Sequence, residues 1–422
     1  MTARLLYCGT VVSNGGDAAI MHAQSEALAE VLPELEPLML DMHPEVARRR
    51  FPCIEQRRPV LHPRLRTQRL APISDWARSL HRQYVIAAAR SRHLPLPARE
   101  RLAIEAIRAS RLIAYTGGTT LIEQYGVTPK LLELEIAAAL HVPYVLLPQS
   151  LGPFTSGLTR RRMRRVVDRA AVALVRDETS RQHLDDIGCS MENVRVIPDV
   201  VFTLAETDAA KRLRESERPV TGFRVVISAR PLGQFGSADG ATQARYNAAI
   251  RRLVIVLIER FGAKVTFLST CQGLPGYWAD DSQIACQIVE DLPPSVQQSV
   301  SVDRRMYEAG ELQRRYAEYD LAVCTRLHAA ILAVNAGTPV LPIAYEFKTH
   351  GVMGDQLGLS EFVCDISNIS EEGLVSSAER LLGDYGAVTT RLASRLEDVV
   401  AEARQVGPLV AGALARMPAV GP

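Results

Sequence analysis

Twice along this chain, short apolar runs of strand length alternate with amphipathic segments of helix length. That alternation is the mark of βα units in a parallel sheet, because each parallel strand needs a crossover before the next can join it. In the first half, runs at 4–8, 112–115, 144–148, 172–175 and 194–197 read as strands, with helices beginning near Asp17, Pro129, Leu158 and Glu178. In the second half, strands at 223–228, 264–268, 321–324 and 340–343 alternate with helices at 243–261, 280–290, 310–316 and 327–336. A chain of 422 residues suits two such domains of about 200 residues each. The expected fold is therefore α/β, with two Rossmann-like doubly wound domains facing a cleft.

The polar, aperiodic stretch 205–222 reads as the linker between domains at 1–205 and 223–385. Within 386–422 a terminal helix near 388–403 is expected to pack back on the first domain. Residues 44–100 fit the pattern least. Prolines punctuate them, and Arg48, Arg49, Arg50, Arg57, Arg58, Arg64, Arg66 and Arg69 concentrate charge there, so the segment reads as an irregular Arg-rich insertion.

With 47% hydrophobic residues, 23% charged residues and a net charge of +2, the chain is neither disordered by composition nor a binder of nucleic acid through bulk charge. Its seven cysteines are scattered, without a CxxC pair, which disfavours structural zinc and a disulfide framework. No His, Asp or Glu cluster has ligand spacing, so no metal is expected. No apolar stretch reaches the ~18 residues that a membrane span needs. A cytoplasmic protein is expected.

The segment TRLHAAILAVNAGTPVLPIAYEFK, residues 325–348, sets Arg326 and His328 between the apolar run DLAVC and a helix that ends at Gly337. Open α/β folds bind ligands at this strand-to-helix edge. A helix N-terminus offers unpaired N–H groups and partial positive charge, to which a guanidinium fork and an imidazole add. The expected ligand group is a phosphate or a carboxylate. The bland alternative pairs Arg326 with a neighbouring acid and makes His328 an interfacial residue. Lys348, just beyond the following strand, favours the anion site because these loops converge on one edge.

The segment 324–348 resembles the C-terminal signature of the polysaccharide pyruvyltransferase family: a small hydroxyl residue, Arg-Leu-His, an apolar helix, Ala-Gly-x-Pro-Val and a strand ending in Tyr-x-x-Lys. Other blocks follow in family order. SNGGDAAI, at Asn14 to Asp17, resembles its Asn-x-Gly-Asp loop, and Gly117-Gly118-Thr119 its glycine-rich loop with threonine at the third position. Gln149 to Pro153 resembles its Gln-x-x-Gly-Pro segment, and Arg176-Asp177 opens its Arg-Asp-x-x-Ser segment.

The resemblance implies a two-lobed fold similar to GT-B glycosyltransferases. It also implies transfer of a pyruvyl group from phosphoenolpyruvate, the co-substrate, to two sugar hydroxyls as a cyclic ketal, with no cofactor. It carries donor contacts to Arg326, Leu327 and His328. Phosphoenolpyruvate carries about three negative charges in a small volume, so its site must gather several cations. Arg176 and Arg230 each follow a strand and join Lys348 as donor candidates. His328 is the expected general acid, since a bound anion favours the charged imidazole.

The first domain would then hold the acceptor through Asn14, Asp17, Gly117, Gly118 and Gln149, with Asp17 as a plain helix cap the alternative. The basic helix TRRRMRRVVDR, with the arginines of 48–69, could meet an anionic membrane surface where a lipid-linked sugar lies. Two rival readings remain at this level: a GT-B glycosyltransferase using a nucleotide sugar, and a non-catalytic sugar-binding protein of the same fold.

Overall fold

A computed structural model describes residues 3–60, 71–91, 93–217, 221–232, 240–272 and 279–417. The chain divides into two compact units. One comprises Met1–Val12, Gln24–Ile197 and Gln405–Pro422, the other Ser13–Ala23 and Pro198–Arg404.

The first unit is built on seven strands: β1 (Arg4–Thr10), β2 (Glu36–Asp41), β3 (Glu55–Arg57), β4 (Ser110–Tyr115), β5 (Tyr144–Gln149), β6 (Ala173–Val175) and β7 (Val194–Val196). They pair in the order β3-β2-β1-β4-β5-β6-β7, every pair parallel. The strands β4 and β5 are almost wholly buried, as befits a sheet covered on both faces.

The Arg-rich segment is not an irregular insertion throughout. It carries the helix Pro44–Arg50, the edge strand β3 and the helix Ala71–Ser91. Its polarity has a physical reason. β3, Glu-Gln-Arg, stands at the sheet edge, where charged side chains blunt further pairing. Arg64, Arg66 and Arg69 lie outside the described residues.

The second unit has six strands: β8 (Arg224–Ser228), β9 (Lys264–Leu268), β10 (Val300–Asp303), β11 (Leu321–Cys324), β12 (Val340–Ala344) and β13 (Cys364–Asp365). Their order is β10-β9-β8-β11-β12-β13, again with every pair parallel. In both units the order reverses once, between β1 and β4 and between β8 and β11, which is the doubly wound arrangement with its ligand-binding switch point. The helix Tyr385–Ala403 packs within the second unit, on the helix Ala209–Glu215 and the turn Val200–Leu204. The helix Val406–Ala415 groups with the first unit, where Gly407 lies so close to the backbone of Ala27 that an added Cβ would stand 2.6 Å from its carbonyl oxygen.

In the first unit's core, Glu133 is buried beside Cys8, and its carboxylate accepts from the backbone N–H of Val60 at 3.3 Å. Burial raises its pKa from the ordinary 4.5 to about 7, against the lowering effect of hydrogen bonds from Val60, Cys8 and Gly9. Folding thus favours the protonated acid. The stabilisation is complete below the unfolded value and is lost as pH rises towards 7, by about 3 kcal/mol over the window. Denaturant unfolding of wild type and Glu133→Gln between pH 4.5 and 7.5 should show this loss in wild type and a flatter profile in the variant. Equal slopes would contradict it.

Candidate functional site

Four loops meet at the carboxyl ends of the second unit's central strands, each following a parallel strand or opening the next helix. β11 runs into Thr325 and Arg326, and Arg326 is the N-cap of the helix Leu327–Asn335. The helix forms because its apolar residues are almost all buried and it closes before Gly337, whose φ of 80° suits the residue that turns the chain into β12. Thr325 is held by the neighbouring strand β8 and by the helix Gly240–Phe261. Its N–H donates to the Ser228 carbonyl at 2.9 Å, and its hydroxyl stands 2.8 Å from that of Tyr246.

Arg326 has found an acid partner. Its Nε lies 3.2 and 3.1 Å from the two Asp281 oxygens and its Nη2 lies 2.5 Å from Oδ1. Asp281 opens the helix Asp281–Glu290, is 1% exposed, and also accepts from the Thr270 hydroxyl and the Cys271 N–H. Pairing with an acid and binding an anion are compatible for a guanidinium, which has donors on two edges. The pair holds the fork in one orientation at the helix terminus. Sequence reasoning missed Asp281 because an acid at a helix start is the ordinary mark of a cap.

His328, two residues on, stands with Nε2 3.5 Å from Asp199 Oδ2, both side chains being largely buried. Its other ring nitrogen faces the Asn14–Asp17 turn, which clusters with the second unit and not with the first, where the sequence had assigned Asn14 and Asp17. Asn14 Oδ1 accepts from Gly16 N–H at 2.9 Å, and Gly15 N–H donates to the Thr270 carbonyl at 3.1 Å. Both glycines are required by close approach. A Cβ on Gly15 would stand 2.5 Å from the Thr270 oxygen, and one on Gly16 2.6 Å from His328 Nδ1.

Gly16→Ala should therefore displace the imidazole and, with His328 as the general acid expected from the sequence, lower turnover about 100-fold. Gly157→Ala, where nothing lies within 4 Å of the added carbon, is the matched control in the same assay. Equal activity in the two variants would contradict the contact.

Arg230 and Lys348 flank one aromatic ring. Arg230, 3% exposed, follows β8 with its guanidinium 3.9 Å from the centre of the Tyr345 ring. Lys348 Nζ lies 5.1 Å from the same ring centre and 2.6 Å from Glu346 Oε2. A cation over an aromatic face is attracted by the ring's quadrupole. The buried Cys271 thiol reports how the charges gather. Burial pushes its pKa up to about 12, Arg326 and Arg230 pull it down, and Asp281 and Asp17 push it further up. Four charged side chains from separate segments of the chain thus act on one sulfur.

The remaining candidates belong to the first unit. Gly118, at φ 107°, pairs as a bridge with Gln149 beyond the end of β4. The Gly117 N–H donates to Gln24 Oε1 at 3.3 Å. Gln149 is fully buried and donates to the Leu147 carbonyl at 3.2 Å, while its Oε1 has no hydrogen-bond partner among the described residues. Arg176 is also fully buried; its Nε donates to Ser150 Oγ at 2.9 Å and its Nη2 to Thr119 Oγ1 at 2.6 Å. Ser150 passes the contact on, 2.5 Å to Asp177 Oδ2, while Asp177 Oδ1 caps the helix Glu178–Asp186. Arg176 is thereby knitted to the glycine-rich loop, and Thr119 supplies the hydroxyl where the motif more often has glycine. The structure brings Arg230, Arg326, Leu327, His328, Lys348, Asn14 and Asp17 into one unit, with Arg176, Gly117, Gly118 and Gln149 in the other.

A family model described as polysaccharide pyruvyl transferase matches residues 14–346. The amylovoran biosynthesis protein AmsJ of Erwinia amylovora is 27% identical over 290 residues, 68% of this chain and 68% of that protein. Among solved structures, Anabaena Alr3699/HepE in complex with UDP-glucose matches 98% of this chain and 100% of its own, with TM-score 0.56 and 13% identity. The UDP-GlcNAc 2-epimerase from Neisseria meningitidis bound to UDP-GlcNAc matches 99% and 100%, with TM-score 0.60 and 11% identity. These likenesses show the fold, α/β with two parallel sheets as in GT-B epimerases and glycosyltransferases. Among the described residues, no helix is long and apolar enough to cross a membrane.

Proposed function

The chain belongs to the polysaccharide pyruvyl transferase family, and on that premise we propose that it transfers a pyruvyl group from phosphoenolpyruvate to two hydroxyls of a sugar. The sugar is part of a polysaccharide, a glycolipid or a lipid-linked precursor, and the products are a cyclic ketal and phosphate. The observation that carries the reading is the set Arg230, Arg326, His328 and Lys348 at the carboxyl ends of β8, β11 and β12. A trianionic donor needs such a concentration of cations next to an acid.

Arg326 and the N–H groups of the helix it caps hold the phosphate, and Arg230 with Lys348 holds the carboxylate. Arg176 supports the Gly117–Gly118–Thr119 loop from within the first unit. In the reaction His328 delivers a proton to the methylene carbon. The carbon bearing the phosphate becomes cationic, one hydroxyl attacks it, phosphate leaves and the second hydroxyl closes the ring. Of the two hydroxyl protons, one replaces that given to the methyl group and the other leaves with phosphate. Asn14 and Asp17 stand on either side of the glycines that face His328 and Thr270, so an acceptor hydroxyl held by them lies beside the imidazole. Gly117, Gly118 and Gln149 remain the acceptor candidates of the first unit.

The test is phosphate release from phosphoenolpyruvate across a panel of sugar acceptors, beside His328→Ala and Arg326→Ala. Thermal stabilisation by nucleotide sugars but not by phosphoenolpyruvate would favour a glycosyltransferase, the reading that the fold shared with UDP-glucose-bound Alr3699/HepE keeps in view.

A further inference from the structure

We propose that Asp199 is a positioning residue for His328, fixing which ring nitrogen exchanges the proton. The assignment of the proton to a step of pyruvyl transfer rests on the function proposed above; the Asp199–His328 coupling itself does not. Asp199 lies just after β7, in Ile197-Pro198-Asp199, and its residue is fully buried. One carboxylate oxygen accepts from the Val201 N–H at 3.0 Å and so caps the turn Val200–Leu204. The other stands 3.5 Å from His328 Nε2. The backbone cap holds the carboxylate, and the carboxylate in turn faces the imidazole.

A neutral imidazole carries its proton on either nitrogen, and the partner of one nitrogen selects the form. A carboxylate is an acceptor only, so Asp199 selects the Nε2–H form and balances the charge when the ring is doubly protonated. That leaves Nδ1 as the exchanging atom. Nδ1 is also the ring atom nearest Gly16, where an added Cβ would stand 2.6 Å from it. Asp281 is engaged by Arg326, and Asp17 belongs to the turn on the Nδ1 side.

The proton balance is closed. The Nδ1–H bond of the imidazolium breaks as the C–H bond of the new methyl group forms, and the ring is left as the Nε2–H form facing Asp199. The Nδ1 lone pair then takes the proton of an attacking hydroxyl. The arrangement follows the logic of any histidine held by a buried acid, in which the acid orients and does not itself transfer the proton.

Asn at residue 199 can still cap Val201, since asparagine is as good a cap as aspartate, but turned that way it offers an N–H to Nε2. The experiment is ring-nitrogen NMR of histidine-labelled protein, wild type and Asp199→Asn, together with steady-state kinetics. Wild type is expected to show His328 as the Nε2–H tautomer and the variant to show the Nδ1–H form. The variant should lose about 10²- to 10⁴-fold in kcat, with KM for phosphoenolpyruvate changed less than about threefold and an unaltered melting temperature. An Nδ1–H tautomer in wild type alone would overturn the proposal, even if the variant failed to fold. So would an unchanged tautomer in Asp199→Asn, or a raised KM with unchanged kcat. If the tautomer switches but wild type releases no phosphate from phosphoenolpyruvate, the coupling stands and the pyruvyl-transfer reading falls.

Discussion

Arg326→Ala is expected to lower kcat/KM for phosphoenolpyruvate by about 10³-fold, the scale of losing a fixed charged donor at a developing anion. The same change also weakens the fold. Asp281 is 1% exposed and Arg326 forks onto it, so alanine strands a buried carboxylate, at about 3–5 kcal/mol. The two effects can be separated. In Arg326→Ala/Asp281→Asn the stranded charge is gone, and equilibrium unfolding should recover most of the lost stability while phosphate release stays at the level of Arg326→Ala. Arg326→Lys keeps one charge but not the planar fork, and should fall between wild type and alanine in both assays. A double variant that regains activity with stability would show that Arg326 acts only as the partner of Asp281, and the donor-binding role would be lost.

His328→Gln should have the second largest effect, about 10²- to 10⁴-fold on kcat, the usual worth of a positioned acid-base group. Glutamine preserves polarity and approximate size but has no proton to give at neutral pH. The expected signature is a fall in kcat with KM for phosphoenolpyruvate almost unchanged, because the arginines and Lys348 retain the donor. Single-turnover phosphate release with saturating donor measures it directly. A large rise in KM with normal kcat would make His328 a binding residue and move the proton step to another group.

The parts of the molecule legible from sequence were those whose side chains are buried on both faces. β9 and β11 have the bounds their apolar runs suggest, and β8 and β12 differ from theirs by one residue at an end. β2, β3, β10 and β13 were missed, and their residues explain it. Glu-Gln-Arg in β3 has no apolar member, β13 is only Cys-Asp, Val-Ser-Val-Asp in β10 is half polar, and β2 begins with two exposed residues. Three of these, β3, β10 and β13, are a sheet's edge strand, where burial ceases to write a pattern into the chain.

The site divides in the same way. Arg326 and His328 announce themselves because cations are out of place where an apolar strand meets an apolar helix. Their partners Asp281 and Asp199 do not, since each begins a helix or turn as any capping acid would, and only the three-dimensional fold brings them to the imidazole and guanidinium. The placement of Asn14 and Asp17 with the second unit was hidden for a similar reason. They follow β1 of the first unit in sequence, and only the hydrogen bond to Thr270 and the approach to His328 show which unit they join.

One measurement bears most directly on the account: phosphate release by purified protein given phosphoenolpyruvate and a panel of sugar acceptors, with the sugar product analysed by NMR. The account predicts phosphate release that depends on acceptor, one ketal formed per phosphate, and loss of both in Arg326→Ala and His328→Gln. Turnover of a nucleotide sugar by the wild-type protein, with phosphoenolpyruvate left intact in the presence of every acceptor, would contradict it.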